Sequence, residues 1–343
     1  MIRIEPYSDK EVKSVLTNLM NNQEFIKFIK SNLNKSTSKF LSIPGSSLMV
    51  MQLFKSKVKN INSVKEFQDQ VKLVLKSVVD QTIEEFQREG ISPEILFWVG
   101  CAGSFDDRAK RITKAFVKIL NSANISFGVL GKDESCTGDP AKRAGNEFLF
   151  QMQAMTNIEV LNSFEIKTIV TTCPHCFNTL KNEYPDLGGN YKVYHHTQFI
   201  NKLLEEGRFS IDGGSYNGKK ITYHDPCFLG RANNEYNAPR NLIKKIDAEL
   251  AELKRCKSKA LCCGAGGAQM FKESEKGSKE INIKRTEEAL ETKSEIIAAG
   301  CPFCNTMLTD GIKSYENEND IEIKDISTDE GDLEDVFVQL TKH

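Results

Sequence analysis

Short apolar runs alternate with amphipathic stretches along most of the chain, and this alternation predicts strands followed by helices. Ile95–Val99 is an apolar run of strand length, whereas Ile112–Ala123 carries apolar side chains at helical spacing. The order recurs later, where a strand at Ile221–Tyr223 and a helix at Ile281–Leu290 precede a strand at Glu295–Ala298. We therefore expect an α/β fold of two pseudo-symmetric parallel-sheet domains with helices packed on them.

The first 92 residues follow a different pattern, which predicts an α-helical segment ahead of the two α/β domains. Ser63, with Glu66 three residues later, has the form of a capping box, and apolar positions from Val64 to Val78 follow the helical period. Glycines between Ile211 and Lys220 suggest a connector. The patterns predict four parts: a helical segment 1–92, α/β domains 93–212 and 213–316, and an acidic tail 317–343.

Composition limits the classes to which this protein can belong. The chain has 343 residues and a formal net charge of −1, so no overall basic field attracts nucleic acid or a membrane surface. No stretch approaches the roughly 20 apolar residues that span a bilayer, and the N-terminus has no apolar signal region. We expect a cytoplasmic protein, without membrane insertion or nucleic-acid binding, whose thiols stay reduced.

Nine of the ten cysteines form one pattern that occurs twice. In each copy, 34 residues separate the first cysteine from the second group, and a C-x-x-C pair follows. The second copy consists of Cys227, Cys262, Cys263, Cys301 and Cys304. The first copy consists of Cys101, Cys136, Cys173 and Cys176, with Thr137 in the place of Cys263. Repeated cysteines at matched spacing indicate a metal or cluster site that is present twice.

The cysteine groups follow predicted strands, and loops beyond the carboxyl ends of parallel strands meet at one edge of a sheet. Several thiolates that converge in a reducing compartment favour zinc, Cu(I) or an iron–sulfur cluster. Five thiols crowd one tetrahedral zinc ion, so for the second copy we favour iron–sulfur. Four thiols in the first copy suit either a 4Fe–4S cubane or zinc. We expect each C-x-x-C on a tight turn stiffened by Pro174 or Pro302.

Two functions of other classes stay open at this point. A zinc-stapled interaction protein would need four thiols and no redox activity. A metal-free dithiol–disulfide oxidoreductase would need an exposed thiolate of low pKa at Cys301 or Cys304. Neither chemistry needs the adjacent cysteines Cys262 and Cys263, which argues against both.

Four histidines lie near the cysteine groups. His175, inside the first C-x-x-C, could tune a cluster through a hydrogen bond, or it could be an ordinary loop histidine. His195, His196 and His224 follow predicted strands and are candidates for catalytic proton transfer or for polarising a cluster sulfur. Histidines that hold loops by hydrogen bonds are commoner than catalysts, so the catalytic residues stay unassigned.

The sequences around the cysteines are specific enough to carry a resemblance. The motifs are Gly100–Gly103, Cys136–Ala141, Cys173–Leu180, His224–Cys227, Leu261–Gly267 and Cys301–Cys304. They resemble the two-copy cysteine-rich (CCG) domain family of Fe–S oxidoreductases. Its members include heterodisulfide reductase B/D-type subunits, the C subunit of anaerobic glycerol-3-phosphate dehydrogenase and a lactate-utilisation Fe–S subunit. The resemblance covers about residues 94–313 and leaves out the helical segment and the tail.

The resemblance implies a cofactor and a function. In heterodisulfide reductase relatives a five-cysteine copy holds a noncubane 4Fe–4S cluster that cleaves a disulfide, so the second-copy cysteines would bind such a cluster here. Because Thr137 interrupts the first copy, that site would hold a 4Fe–4S cubane or nothing. No ferredoxin motif precedes the repeat. Electrons would then pass to or from a partner such as a flavoprotein or a ferredoxin-like subunit, and the substrate would be a disulfide or a small organic acid.

Overall fold

The computed structural model describes residues 82–319, except 89, 212–215 and 274–276. The chain divides into two compact units, 1–81 and 82–343, and both copies of the cysteine pattern lie in the second. Most of the predicted helical segment and of the acidic tail lies outside the described residues. Within the described part, Ile83–Arg88 forms a short helix, α1. The four predicted domain boundaries stay predictions.

Parallel strands form the sheet of the first half, in the order β2-β1-β3-β4. The strands are β1 (Ile95–Trp98), β2 (Phe127–Gly128), β3 (Thr168–Thr171) and β4 (Lys192–His195). The helices are α2 (Gly100–Phe105), α3 (Asp107–Ser122), α4 (Asp139–Arg143), α5 (Glu147–Ser163), α6 (Pro174–Asn178) and α7 (His196–Glu205).

Strand β1 is buried on both faces, as expected for an inner strand of a parallel sheet. Its successive side chains point to opposite faces. Ile95 and Phe97 belong to the core that contains Phe116 of α3, with the Phe97 and Phe116 rings 5.1 Å apart. Leu96 and Trp98 belong to the core on the other side, which α5 covers. Helices on both faces thus fix the carboxyl edge of the sheet, where the cysteines follow.

The second half repeats this arrangement with three parallel strands in the order β6-β5-β7. They are β5 (Lys220–His224), β6 (Glu249–Ala251) and β7 (Ile296–Ala299). The helices are α8 (Asn237–Lys245), α9 (Ile281–Leu290) and α10 (Pro302–Asn319). The order matches β2-β1-β3, and β4 is an addition at the edge of the first sheet. The predicted α/β class with two parallel-sheet domains is confirmed.

The two halves contact each other through α7 and α8. The Asn201 side chain on α7 donates a hydrogen bond to the Ala238 carbonyl at 2.9 Å, and Gln198 donates to Glu235 at 2.7 Å. Leu229 of the second half is fully buried in a core of the first half. Among the described residues, no helix combines the length and the apolar character that crossing a bilayer requires.

The predicted tight turns at the two C-x-x-C pairs are instead the starts of helices. Cys173 is the N-cap of α6, with Pro174 in its first turn, and Cys301 directly precedes Pro302 at the start of α10. Proline suits the first helical position because its fixed φ matches the helix and its missing N–H would have no partner there. The helix then sets the spacing between the two thiols of each pair.

Candidate metal centre

The five cysteines of the second copy meet at the carboxyl edge of the second sheet. Cys227 follows β5, Cys262 and Cys263 lie on the loop after β6, and Cys301 and Cys304 flank the start of α10. Hydrogen bonds join their thiols in one series, from Cys227 through Cys262, Cys263 and Cys304 to Cys301. Three of them are buried, and all ten cysteines of the chain, which lie within its described part, are free.

These hydrogen bonds separate thiols that ionise readily from thiols that do not. Hydrogen bonds from Cys227 and Cys263 lower the pKa of Cys262, and the bond to Cys262 raises the pKa of Cys263 to about 12. Burial acts against ionisation of Cys301, but hydrogen bonds from Cys304 and His175 lower its pKa. The thiolate is the form that binds metal. Cys262 and Cys301 are therefore the thiols of this group whose pKa is shifted in the direction that favours metal binding.

The backbone at the adjacent cysteines contributes a further hydrogen bond. The Gly264 N–H points to Cys262 Sγ at 3.3 Å. Gly264 has φ +97°, a conformation that side chains with a Cβ rarely adopt. The glycine that follows the cysteine pair is thus needed for the turn that directs its amide to the sulfur.

Polar groups surround the second-copy thiols. A ring nitrogen of His224, the last residue of β5, lies with Cys263 Sγ and Cys304 Sγ in a group whose atoms are all within 4.8 Å of one another. Arg285 Nε donates to His224 Nδ1 at 2.9 Å. Arg285 Nη2 and the Tyr223 hydroxyl are buried without a hydrogen-bond partner among the described residues. The Tyr223 hydroxyl, a buried donor without an acceptor that is close enough to Cys301 and Cys304 to interact electrostatically, fits a cluster whose sulfides accept hydrogen bonds.

The four cysteines of the first copy line one pocket. Cys101 and Cys136 share a hydrogen bond, as do Cys173 and Cys176. The hydrogen bond from Cys136 lowers the pKa of Cys101 to about 7, and the one from Cys176 lowers the pKa of Cys173. Cys101 is exposed, whereas Cys173 and Cys176 are buried. The first-copy site is thus open to solvent on its Cys101 side.

Thr137 fills the position of the fifth thiol in this pocket. It is 2% exposed, and its hydroxyl lies 4.0 Å from Cys176 Sγ. Trp98 also lines the pocket, and its indole N–H is buried without an acceptor among the described residues. An indole nitrogen can only donate. A donor of this kind beside four thiols fits an acceptor in the pocket, and the four-cysteine set suits one cluster.

His175 connects the two sites. Its Nδ1 lies 2.7 Å from Asp139 Oδ2, and the ring also hydrogen-bonds with Cys301 of the second copy. Burial acts against the charge, but Asp139 and Cys301 raise the pKa of His175 well above its usual value. Its ring packs between those of Phe228 and Phe303, at 4.7 and 4.6 Å. The sequence placed His175 in the first copy, but nothing in its pattern indicates the contact with the second.

The rings of His195 and His196 lie 4.2 Å apart, and the His195 ring also lies next to Gly300, which directly precedes Cys301. His195 is fully buried, with Nδ1 2.7 Å from the Thr197 hydroxyl, and neither it nor His196 lines the first-copy pocket. Burial lowers the pKa of both, to about 4 for His196. Of the three candidates, His224 is the one whose ring nitrogen the described part of the chain groups with second-copy sulfurs. The sequence patterns did not identify Arg285 as a residue of the site. A charged residue on the inward face of the helix α9 is a signal that could have identified it.

Comparison with known proteins connects this geometry to a family. The family model described as "Cysteine-rich domain" (CCG) matches residues 95–181 and 221–309. The EtfAB:quinone oxidoreductase of Syntrophomonas wolfei is 43% identical over 255 residues, which cover 73% of this chain and 35% of that protein. The probable iron–sulfur-binding oxidoreductase FadF of Bacillus subtilis is 44% identical over 246 residues, 71% of this chain and 34% of that protein.

A third relative differs in its named activity. It is a subunit of the dihydromethanophenazine:CoB–CoM heterodisulfide reductase of Methanosarcina barkeri, and it is 32% identical over 244 residues, 68% of this chain and 57% of that protein. The chain spans about a third of the length of the first two relatives and little more than half of the third. The aligned parts are thus portions of longer proteins.

Proposed function

The chain belongs to the two-copy cysteine-rich (CCG) domain family of Fe–S oxidoreductases, and on that basis we propose that it transfers electrons as the Fe–S subunit of a larger redox assembly. The proposed ligands of a 4Fe–4S cluster in the second copy are Cys227, Cys262, Cys263, Cys301 and Cys304. The hydrogen-bonded series of these five thiols is the observation that supports the proposal most directly.

The number of thiols bears on the form of the cluster. A cubane 4Fe–4S cluster takes four cysteines, and the second copy presents five in one continuous series. We therefore propose the noncubane form there. When bound, such a cluster supplies one-electron transfer at a potential set by its hydrogen bonds and its exposure to solvent. Phe303 and Met307, which pack against the buried cysteines, would limit the access of water.

For the first copy we propose a cubane 4Fe–4S cluster on Cys101, Cys136, Cys173 and Cys176. The buried indole N–H of Trp98 in the same pocket supports an acceptor at this place. Cys173 and Cys301, one from each copy, are close enough to interact electrostatically. Electrons that enter on the exposed Cys101 side would therefore have a short path to the second copy.

The partner follows from the relatives and from this exposed side. One relative is named as an oxidoreductase between EtfAB and quinone, and another as a subunit of a heterodisulfide reductase. We propose that a flavoprotein or a ferredoxin-like subunit exchanges electrons with this chain. The exposed Cys101 makes the first-copy site the place of exchange.

Disulfide reduction is a second candidate function, and the five thiols that the second copy brings together favour it. Two electrons from the partner and two protons from solvent convert one disulfide into two thiols. A relative named heterodisulfide reductase supports the same chemistry.

The two functions of other classes receive less support. A metal-free dithiol–disulfide exchange at the second C-x-x-C pair needs an accessible thiolate there, but Cys301 and Cys304 are only 4% and 3% exposed. A structural zinc ion takes four ligands and would leave the fifth thiol of the second copy unused. Metal analysis separates these alternatives from the proposal.

The decisive experiment is iron, acid-labile sulfide and zinc analysis of protein purified without oxygen, with EPR of the same sample. We expect about eight iron and eight sulfide per chain with both sites filled, and about four with the second copy alone. Cys263→Ser should remove the second-copy signal. Cys256→Ser is the matched control, because Cys256 lies outside the hydrogen-bonded series. Zinc in place of iron, or an unchanged signal in Cys263→Ser, would refute the assignment.

A further inference from the structure

His224 forms, with Cys263 and Cys304, a group that looks like a metal site in its own right. One ring nitrogen and the two sulfurs lie within 4.8 Å of one another, and all three residues are buried. One histidine and two cysteines form a donor set that zinc and iron both accept. Whether the histidine can coordinate depends on which of its nitrogens has a free lone pair.

Arg285 determines which nitrogen of His224 carries the proton. Its Nε lies 2.9 Å from His224 Nδ1, and a guanidinium nitrogen can donate but cannot accept. His224 Nδ1 must therefore be the acceptor. A neutral imidazole carries one proton, so that proton sits on Nε2. The Nδ1 lone pair is used by Arg285 and Nε2 holds the hydrogen, which leaves neither nitrogen able to coordinate iron.

The surroundings of Arg285 keep this arrangement in place. Arg285 is fully buried, and its Nη1 donates to Glu288 Oε2 at 3.0 Å and to the Arg255 carbonyl at 2.9 Å. The guanidinium therefore cannot turn away from His224 without losing both bonds inside the protein. Its charge also polarises the imidazole, which strengthens the Nε2–H as a donor.

We propose that His224 is a positioning residue, locked as the Nε2–H tautomer, that donates a hydrogen bond to the Cys263 or Cys304 thiolate rather than binding iron. The inference rests on the proposed second-copy cluster. A hydrogen bond to a ligating thiolate stabilises the reduced cluster more than the oxidised one, because the reduced cluster carries more negative charge. Arg285 and His224 together thus raise the reduction potential of this site.

The first test uses the full chain with ¹⁵N-labelled histidine and its cluster in a paramagnetic state. Electron–nuclear double resonance in H₂O and D₂O should show weak ¹⁵N couplings and exchangeable protons near the cluster. His224→Leu should lose one weak ¹⁵N coupling and one exchangeable proton and keep those that arise from His175 at Cys301 and from the Gly264 N–H at Cys262. A strong ¹⁵N coupling, typical of a coordinated nitrogen, would overturn the inference, and so would a spectrum of His224→Leu that matches that of wild type. Protein without any iron would refute the proposed function itself, so the two failures are distinguishable.

The second test measures the midpoint potential of the second-copy cluster. His224→Leu should shift it to a more negative value, and His224→Gln, which keeps an N–H donor, should restore part of the shift. His196→Leu is the control, since His196 lies against Phe116 and not among the sulfurs. Equal potentials in wild type and His224→Leu would contradict the proposal.

A third variant tests whether Arg285 fixes the tautomer of His224. Arg285→Met frees Nδ1, so the imidazole proton can move there and Nε2 gains a lone pair for iron. We expect a strong ¹⁵N coupling to appear in this variant alone. If His224→Leu fails to take up its cluster, the ¹⁵N couplings of the labelled wild type and of Arg285→Met still show whether His224 coordinates iron. A ¹⁵N coupling in Arg285→Met identical to that of wild type would overturn the role assigned to Arg285.

Discussion

Asp139 of the first cysteine-rich copy lies 2.7 Å from His175 Nδ1, and the same imidazole hydrogen-bonds with Cys301 of the second copy. Asp139 also accepts from Arg143 Nε at 3.0 Å. Because the Asp139 side chain is 4% exposed, the negative charge is held by these two partners rather than by water. A carboxylate of one copy thus orients a histidine that contacts a proposed ligand of the other.

We expect Asp139→Asn to destabilise the protein by about 2 kcal/mol, the usual range for losing a buried hydrogen bond to a charged group. The amide keeps an acceptor oxygen but not the charge that faces His175 and Arg143. Chemical denaturation of the cluster-loaded protein measures the change. Asp186→Asn, at an exposed aspartate, is the control and should leave the unfolding free energy within about 0.5 kcal/mol. Equal changes in the two variants would contradict this role of Asp139.

Thr137→Cys should convert the first-copy site into a five-cysteine site. The Thr137 hydroxyl already lies 4.0 Å from Cys176 Sγ, so a sulfur at this position would be within reach of the other thiols. We expect the EPR spectrum of the variant to gain a second signal of the second-copy type.

Thr137→Ser is the control for the Thr137→Cys experiment, because it keeps the hydroxyl and adds no thiol. Its spectrum should match that of wild type. A Thr137→Cys spectrum that also matches wild type would show that the absent thiol is not what distinguishes the two copies.

Arg240 offers a test of the loop that carries Cys227. Its guanidinium donates to both Asp225 oxygens, at 2.7 and 2.9 Å, and to Glu252. Asp225 is two residues from Cys227 and only 2% of its side chain is exposed. Arg240→Met would leave a buried carboxylate without its cation, which costs about 3–5 kcal/mol.

The comparison for Arg240→Met is an exposed ion pair. Arg208 pairs with Glu94 at 3.3 Å, and 34% of its side chain is exposed. Arg208→Met should cost no more than about 1 kcal/mol of unfolding free energy, since solvent screens such pairs. Denaturation curves of both variants measure these losses of unfolding free energy. A smaller loss in Arg240→Met than in Arg208→Met would show that Asp225 does not depend on Arg240 for its charge balance.

The fold and the grouping of the cysteines follow from the sequence because both depend on local patterns. The helix at Ile281–Leu290 begins and ends where the apolar spacing predicts, and the strand order of the second half repeats that of the first. The contacts between copies do not follow from local patterns. His175 reaches Cys301 because the two halves pack together, and the tautomer of His224 depends on Arg285, 61 residues away along the chain.

The stability of the protein should depend on pH through His196. Burial lowers the pKa of His196 to about 4 in the folded state, below its usual value of 6.5. The folded protein therefore binds fewer protons than the unfolded chain between these values. Stability is fully present above pH 6.5 and is lost as the pH falls toward 4.

Between pH 7.5 and pH 5 we expect His196 to account for about 2 kcal/mol of lost unfolding free energy. His196→Asn removes the titrating ring, so its denaturation curves should change less with pH than those of wild type. The same pH dependence in both proteins would show that other groups cause it.

Gly138 directly follows Thr137, and two features make glycine necessary there. Its φ is +88°, and a Cβ at this position would lie 2.9 Å from the Phe150 ring. Gly145 has a similar φ of +85°, but a Cβ there would have no neighbour within 4 Å. Gly145→Ala should therefore cost only the backbone strain, about 1 kcal/mol. Gly138→Ala should cost more by about 1–3 kcal/mol for the added overpacking and should disturb the first-copy EPR signal. Equal losses of stability in the two variants, with unchanged spectra, would mean that the Phe150 ring moves to make room for the added Cβ. The Cys136 loop would then not depend on this contact.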